Sequence, residues 1–405
     1  MKIFILLYIY ILLTITTSID NSDIIFVFEH ARHGARSPLF ADGNTKYEDH
    51  FGTKWEGASL LTNVGKRTHY AIGIHNRIKY NNLINFTKFN YSEIEIYSTN
   101  SPRVIQSIQA ELLAMYTPGT LEQLSDEELS MADPPINNLS SVVIEELEKL
   151  DHSTIVDDIN VFPIRFSSPT KTRLNEPENC PYMSQYQAQL EKDVQNEIDV
   201  FLEKYDQKYG EQLQRYFNFS NRDFMRDFNF IELIMADEYL SNYFNGNNFS
   251  DFVAETNIDI HDFFNYTAES KNIYVLHMNL DEKTGVMAAS PTMRDVINYM
   301  EKIINNVPRS PKMVIHGGHD ITVNYILYFM QYAFHIPIEY IPFAANVYFE
   351  LHKNNSGENQ YYVEYIYDGK SMMKIDYNDF KNKVIEALWS EEEIILNDHN
   401  YKIFS

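Results

Sequence analysis

Residues 28 to 38 read F-E-H-A-R-H-G-A-R-S-P, which puts Arg32, His33 and Arg36 within five residues. Two guanidiniums this close repel each other and push protons off the imidazole between them. An anionic ligand offsets that repulsion, because arginine presents a rigid fork of N–H donors to several phosphoryl oxygens at once. His33 then becomes a neutral imidazole able to act as a nucleophile, even at acid pH where a free histidine is charged. Gly34 lets other backbone approach, and Pro38 stiffens the exit of the loop. Further along, S-T-N-S-P-R supplies Arg103, and H-G-G-H-D supplies His316, His319 and Asp320. Asp320 suits the donation of a proton to a leaving alkoxide, since a carboxyl beside a phosphate dianion is driven toward its protonated form. His319 adds a hydrogen-bond donor for the phosphoryl group. The same segment carries metal-ligand types, although no second His/Asp group with convincing spacing accompanies it. His316 reads as a packed residue ending its strand.

These side chains need elements to aim them. The apolar run from Asp23 to Phe28 predicts a fully buried strand that delivers Arg32 at its carboxyl end. Thr62 to about Tyr80 predicts an amphipathic helix whose apolar positions are Val64, Ala71, Ile74 and Ile78. E-I-E-I-Y alternates as a strand, after which Ser101 and Pro102 open a helix carrying Arg103 and a buried face of Val104, Ile105, Ile108 and Leu112. Residues 120–270 differ: helical patterns such as Gln187 to Tyr209 alternate with Asn- and Asp-rich connections. Strand–helix alternation then resumes. Ile273 to Leu276 predicts a short strand, Ser290-Pro291 a second proline-led helix start, and Met313 to Ile315 a buried strand. A helix from Ile321 to Phe334 and strands at Asn346–Leu351 and Tyr361–Tyr367 follow. Each chemical motif thus falls after a strand and at a helix start, where open parallel sheets gather ligands and helix N-termini favour phosphate.

The 405 residues carry a net charge of -24, which argues against nucleic acid and anionic membrane surfaces as partners. A composition 44% hydrophobic and 14% aromatic supports a large core and excludes global disorder. Lys2, the apolar run Ile3 to Leu13 and the small polar residues after it have the layout of a signal peptide over residues 1–18. The run falls short of the ~20 residues a spanning helix needs, so no stable membrane anchor is expected once it is removed. N-x-S/T triplets at Asn85, Asn90, Asn138, Asn218, Asn248, Asn265 and Asn354 fit a glycoprotein of the secretory route. Cys180 is the single cysteine, so no intrachain disulfide forms.

F-x-x-A-R-H-G-A-R-S-P resembles the R-H-G-x-R-x-P signature of the histidine acid phosphatases, a branch of the histidine phosphatase superfamily, and His319-Asp320 matches that family's paired H-D element. W-E-G-A-S-L-L-T-N-V-G-K-R-T-H-Y (55–70), S-T-N-S-P-R-V-I-Q-S, the stretch 161–181 and N-V-Y-F-E-L (346–351) are similar to further family segments, so the likeness runs from about residue 23 to about 375. It implies an α/β fold: a mainly parallel sheet flanked by helices, with a smaller, mostly helical domain inserted. On this sequence that gives a catalytic domain over 19–119 and 271–405 and an inserted helical cap over 120–270. It implies a phosphohistidine formed on His33, phosphate binding by Arg32, Arg36, Arg103 and His319, proton donation by Asp320, and no metal or other cofactor. Cys180 matches a family cysteine that is often disulfide-bonded, but it has no partner here. Ala35 follows the phytase-like members, whereas Ile-Thr after His319-Asp320 is closer to the acid phosphatases. The expectation is an acid phosphatase acting on small phosphate monoesters, secreted or lysosomal, with the insertion's helices a surface for a homodimer. A phytase or inositol polyphosphate phosphatase, or a lysophosphatidic acid phosphatase, is the alternative within the family. From another class, a catalytically inactive glycoprotein that binds phosphorylated ligands would have lost the nucleophile or the proton donor, and both are present.

Overall fold

The computed structural model describes residues 22–39, 46–119, 123–132, 140–155, 157, 159–166, 195–228, 230–273, 282–354 and 360–389. The expected leader, Asn138 and Cys180 lie outside the described residues. The apolar run becomes β1 (Ser22–Arg32), which continues past Phe28 with Glu29 and His30 buried. A two-stranded ribbon follows, β2 (Tyr47–Glu48) paired with β3 (Lys54–Trp55). Thr62 caps α1 (Asn63–Lys79) by accepting the Gly65 N–H. The alternating segment forms β4 (Ile94–Ser98), and Pro102 opens α2 (Pro102–Met115). Two exposed helices, α3 (Asp126–Met131) and α4 (Ser141–Glu148), precede the short β5 (Arg165–Phe166).

The helical stretch comprises α5 (Gln195–Tyr216), α6 (Asp237–Phe244), α7 (Ser250–Thr256) and α8 (Ile260–Asn272). Its aromatic core includes Phe201, Tyr205, Tyr209, Phe263 and Tyr266. Then come α9 (Glu282–Ile304), β6 (Met313–Gly318), α10 (Asp320–Phe334), β7 (Asn346–Asn354), β8 (Tyr361–Tyr367), β9 (Lys370–Asp376) and α11 (Tyr377–Ala387).

The main sheet has the order β5-β4-β6-β1-β7-β8-β9. Its parallel half runs from β5 to β1, and β7, β8 and β9 extend it with antiparallel pairings. The fold is therefore α/β, with a parallel core and an antiparallel edge. Along β1 the faces alternate: Phe26 and Phe28 pack with α9, α10 and α11, while Val27 packs with α2 on the other side. β6 lies between β4 and β1, with Ser98 opposite Gly317 and Arg32 opposite Gly318, so the three strands end side by side. No helix among the described residues is long and apolar enough to cross a membrane.

Four local expectations are corrected. α1 does not bury its aliphatic positions: Val64, Ala71 and Ile78 are exposed, and the buried face is Gly65, His69, Gly73 and Asn76. Close packing is the reason, since a Cβ on Gly73 would lie 2.1 Å from the Glu111 carbonyl oxygen on α2. Ile273 keeps helical backbone at the end of α8, and 274–276 lie outside the described residues. Pro291 lies inside α9, where the Ser290 hydroxyl donates to the Val286 carbonyl and buried apolar neighbours hold the turn. Within 120–270, Arg165–Phe166 joins the main sheet beside β4, because its backbone completes the parallel ladder there.

Candidate active site

β1 ends at Arg32, and the segment after it is stitched to its surroundings by backbone. His33 N–H donates to the Gly318 carbonyl (3.1 Å), Ala344 N–H to the His33 carbonyl (2.9 Å), and Thr62 N–H to the Ala35 carbonyl (3.0 Å). Gly34 N–H donates to Ser107 Oγ at 3.0 Å. Gly34 is required by space: a Cβ there would sit 2.5 Å from the Gly65 carbonyl oxygen at the start of α1. Ser59 and Ala344, both beside this segment, hold left-handed backbone with φ of 60° and 61°, a local strain of the kind that clusters at active sites.

His33 donates Nδ1–H to the Gly34 carbonyl at 2.9 Å. That fixes its tautomer and leaves Nε2 as a bare lone pair, without a hydrogen-bond partner among the described residues. Burial, then the charges of Arg32, Arg103 and Arg36, hold its pKa well below the ordinary histidine value. The ring stays neutral in acid.

Arg32 donates through its two terminal nitrogens to the Ile341 carbonyl (2.7 Å) and to Asp320 Oδ2 (2.8 Å). Arg103 donates to Ser59 Oγ (2.7 Å) and to His319 Nδ1 (3.2 Å). The second bond makes Nδ1 an acceptor, so the His319 proton sits on Nε2, which donates to Thr99 Oγ1 at 3.0 Å. Burial, then Arg103, lower the His319 pKa to about 4. Burial, then Arg36, lower that of Arg103 to about 10, which still leaves it charged. The His33 and His319 rings meet edge to face, 5.6 Å apart. All six residues singled out in the sequence, Arg32, His33, Arg36, Arg103, His319 and Asp320, therefore converge at the carboxyl ends of β1, β4 and β6.

Asp320 is held in its charged form in the free site. Burial alone would raise its pKa, but Arg32, Lys271, His33 and Arg36 outweigh that and hold the carboxyl well below the usual range. In the free site it is an ionised partner of Arg32. His316 stands apart: its ring packs against Phe28 and Tyr97, 4.9 and 5.0 Å away.

Other site residues carried no sequence signal. Asp237, the first residue of α6, takes both ends of the Arg36 guanidinium at 2.7 and 3.1 Å and accepts the Leu39 N–H at 2.7 Å. It follows a wide π-helical turn at Phe230–Ala236, a geometry frequent at functional sites. Burial works against its charge, but the Arg36 ion pair wins and lowers its pKa. Phe343 stacks under Arg32 and Arg36, with guanidinium carbons 4.3 and 5.4 Å from the ring centre. Phe244 meets Phe343 edge to face at 5.4 Å. One wall of the site is thus aromatic and half-buried.

Residues 23–368 match the sequence pattern of the histidine phosphatase superfamily (branch 2), and the chain belongs to that superfamily. The lysosomal acid phosphatase of Xenopus laevis is 30% identical over 100 residues, which are 24% of this chain and 22% of that protein. The prostatic acid phosphatase of Bos taurus is 30% identical over 88 residues, 22% of each chain. These matches span about a fifth of the length of those relatives. Among solved structures, the apo phytase of Hafnia alvei superposes with a TM-score of 0.57 at 13% identity, over 92% of this chain and 98% of that one. The Citrobacter braakii phytase gives 0.58 at 11% identity, over 91% and 98%. At such identities the likeness is one of fold.

Proposed function

We propose that the chain is a metal-independent acid phosphatase that hydrolyses small phosphate monoesters through a phosphohistidine on His33. One observation carries the reading: a buried imidazole with its Nδ1 committed to the Gly34 carbonyl, on which the charges of Arg32, Arg103 and Arg36 all act. Arg32, Arg36 and Arg103 bind the phosphoryl oxygens, and the Nε2–H of His319 turns from Thr99 toward them. Nε2 of His33 attacks phosphorus, the N–P bond forms and the ester P–O bond breaks. Asp320, protonated on substrate binding, gives its proton to the leaving alkoxide. Water then attacks the phosphohistidine while Asp320 takes a proton, and inorganic phosphate leaves.

The residues from Gln195 to Asn272, with their own aromatic core, act in this reading as a cap that closes over the site. The rings of Phe244 and Phe343 favour esters of aromatic or apolar alcohols, lysophosphatidic acid included, over a polyanion such as phytate. Exposed turns at Asn85, Asn90 and Asn248 suit glycosylation, in keeping with a secreted or lysosomal enzyme. The test is phosphate release at acid pH from an aryl phosphate, lysophosphatidic acid and phytate, with and without chelator, for the wild type and His33→Ala. Release by the wild type that chelator leaves intact and His33→Ala abolishes is expected. Near-normal turnover by the variant overturns the mechanism, and a marked preference for phytate overturns the substrate class.

A further inference from the structure

Beneath the Arg32–His33 segment lie five buried polar side chains: Glu29 on β1, His69 and Asn76 on α1, Glu111 on α2 and Tyr348 on β7. The chemistry proposed above uses none of them. Their hydrogen atoms can be counted. Asn76 donates through Nδ2 to Glu29 Oε2 and to Glu111 Oε1, each at 2.9 Å. The opposite amide orientation would set its oxygen against two carboxyls, so Nδ2 faces them and Oδ1 needs a donor. The Tyr348 hydroxyl supplies it at 3.1 Å, but that hydroxyl also lies 3.0 Å from Glu29 Oε1. Two oxygen–oxygen contacts need two protons, and tyrosine brings one. The other belongs to Glu29, whose carboxyl is also hydrogen-bonded to that of Glu111, a contact between two carboxyls that itself requires a proton.

A second count involves His69. Its Nε2–H donates to the Arg32 carbonyl at 2.9 Å, which leaves Nδ1 facing Glu111 Oε2 at 3.3 Å. That contact also needs a proton, on the carboxyl or on the ring. With both protons in place the cluster is electrically neutral. Without them, buried negative charge faces a lone pair directly below the carbonyl that ends β1.

We propose that Glu29, Glu111 and His69 are positioning residues that hold two protons under the nucleophile segment, fix the Arg32 carbonyl in acid, and release it as pH rises. The fields at these groups point the same way. Burial, then the Glu111 charge, raise Glu29 well above the ordinary glutamate value. Burial raises Glu111 to about 7 and lowers His69 to about 4. The titratable groups facing Glu29 are Glu111, His69 and Tyr348. Lys79, at the end of α1, is committed to Glu350 at 2.5 Å, and the Tyr80 hydroxyl donates to the same carboxylate at 2.6 Å.

The sign of the effect follows. A raised native pKa at Glu29 gives stability that is complete below the unfolded value and declines as pH climbs toward the native one. Glu111 and His69 nearly cancel, because the unfolded pair also holds one proton between the ordinary glutamate and histidine values. The slope therefore belongs chiefly to Glu29.

Glu29→Gln tests this, since its amide donates to Tyr348 and accepts from Asn76 as the protonated acid does. Melting temperatures measured from about pH 5 to about pH 8 should start level with the wild type and fall less, and the alkaline limb of the phosphate-release profile should move up by about one pH unit or more. An unchanged decline, or an equal loss at every pH, overturns the proposal. The wild type supplies a second measurement: infrared spectra at neutral pH should contain the carbonyl stretch of a protonated buried carboxylic acid, and its absence overturns the proposal even if the variant fails to fold. Melting and infrared readouts need no catalysis, so this inference and the phosphatase reading fail separately.

Discussion

Asp237 offers the sharpest perturbation, because its buried ion pair with Arg36 ties the helical stretch to the loop that follows β1. Arg36 and Asp237 are 2% and 3% exposed, and the carboxylate accepts three hydrogen bonds. Asp237→Ala strips all three and leaves a buried guanidinium without its counter-charge, a change that costs about 3–5 kcal/mol. At roughly 2 °C per kcal/mol for a chain of this size, the melting temperature should fall by roughly 6–10 °C. Asp237→Asn keeps the shape and one acceptor and should lose about half as much. A depressed native pKa gives stability that is complete above the unfolded value and lost as pH falls through the native one. The deficit should therefore stay constant above about pH 4 and shrink only in stronger acid. Thermal melting with limited proteolysis of the 195–272 region is the assay. Replacing both partners with apolar residues, Arg36→Met with Asp237→Leu, should recover most of the stability while abolishing turnover. If Asp237→Ala melts with the wild type, or the double variant is no better than the single one, the ion pair is not what secures this helical stretch.

Three further expectations follow from the same geometry. Asp320→Ala should slow release of poor alkyl leaving groups by ~10²-fold or more, yet spare nitrophenyl phosphate; equal losses for both remove Asp320 from the acid role. Gly65→Ala should destabilise by about 1–3 kcal/mol or more, because the added methyl would lie 2.2 Å from the Ala35 carbonyl oxygen; unchanged denaturant midpoints would contradict this packing. Since burial and three arginines keep His33 neutral below the ordinary histidine pKa, kcat/KM should hold up at about pH 5, and a fall that tracks an ordinary histidine would refute the assigned charge state.

That the residues of the candidate site would lie together was legible because its parts announce themselves locally. Arg32, His33 and Arg36 share one loop, and Arg103 and Asp320 each sit at a helix start marked by a strand before it. What escaped was partnership over distance. Nothing near Asp237 in the chain says that it answers Arg36, 201 residues away. Hydrophobic period misled at α1, where glycine and polar residues face α2 because close backbone approach, not aliphatic burial, sets that contact. Pro291 reads as a helix start by its own chemistry, yet burial on both sides carries the helix through it. Glu29 marked the apparent end of an apolar run and is instead a fully buried strand residue, tolerable there because its neighbours satisfy it.

The position of β1 in the sheet has a consequence for how this chain is made. Its hydrogen-bonding neighbours are β6 and β7, which begin at Met313 and Asn346, so this buried central strand emerges first and waits for both partners. At about 5–20 residues per second, that wait is roughly 15–60 s of synthesis, during which both edges of β1 are open. Such non-local pairing makes for slow maturation, and a chain cut short before Met313 would retain the arginine loop with no sheet to support it.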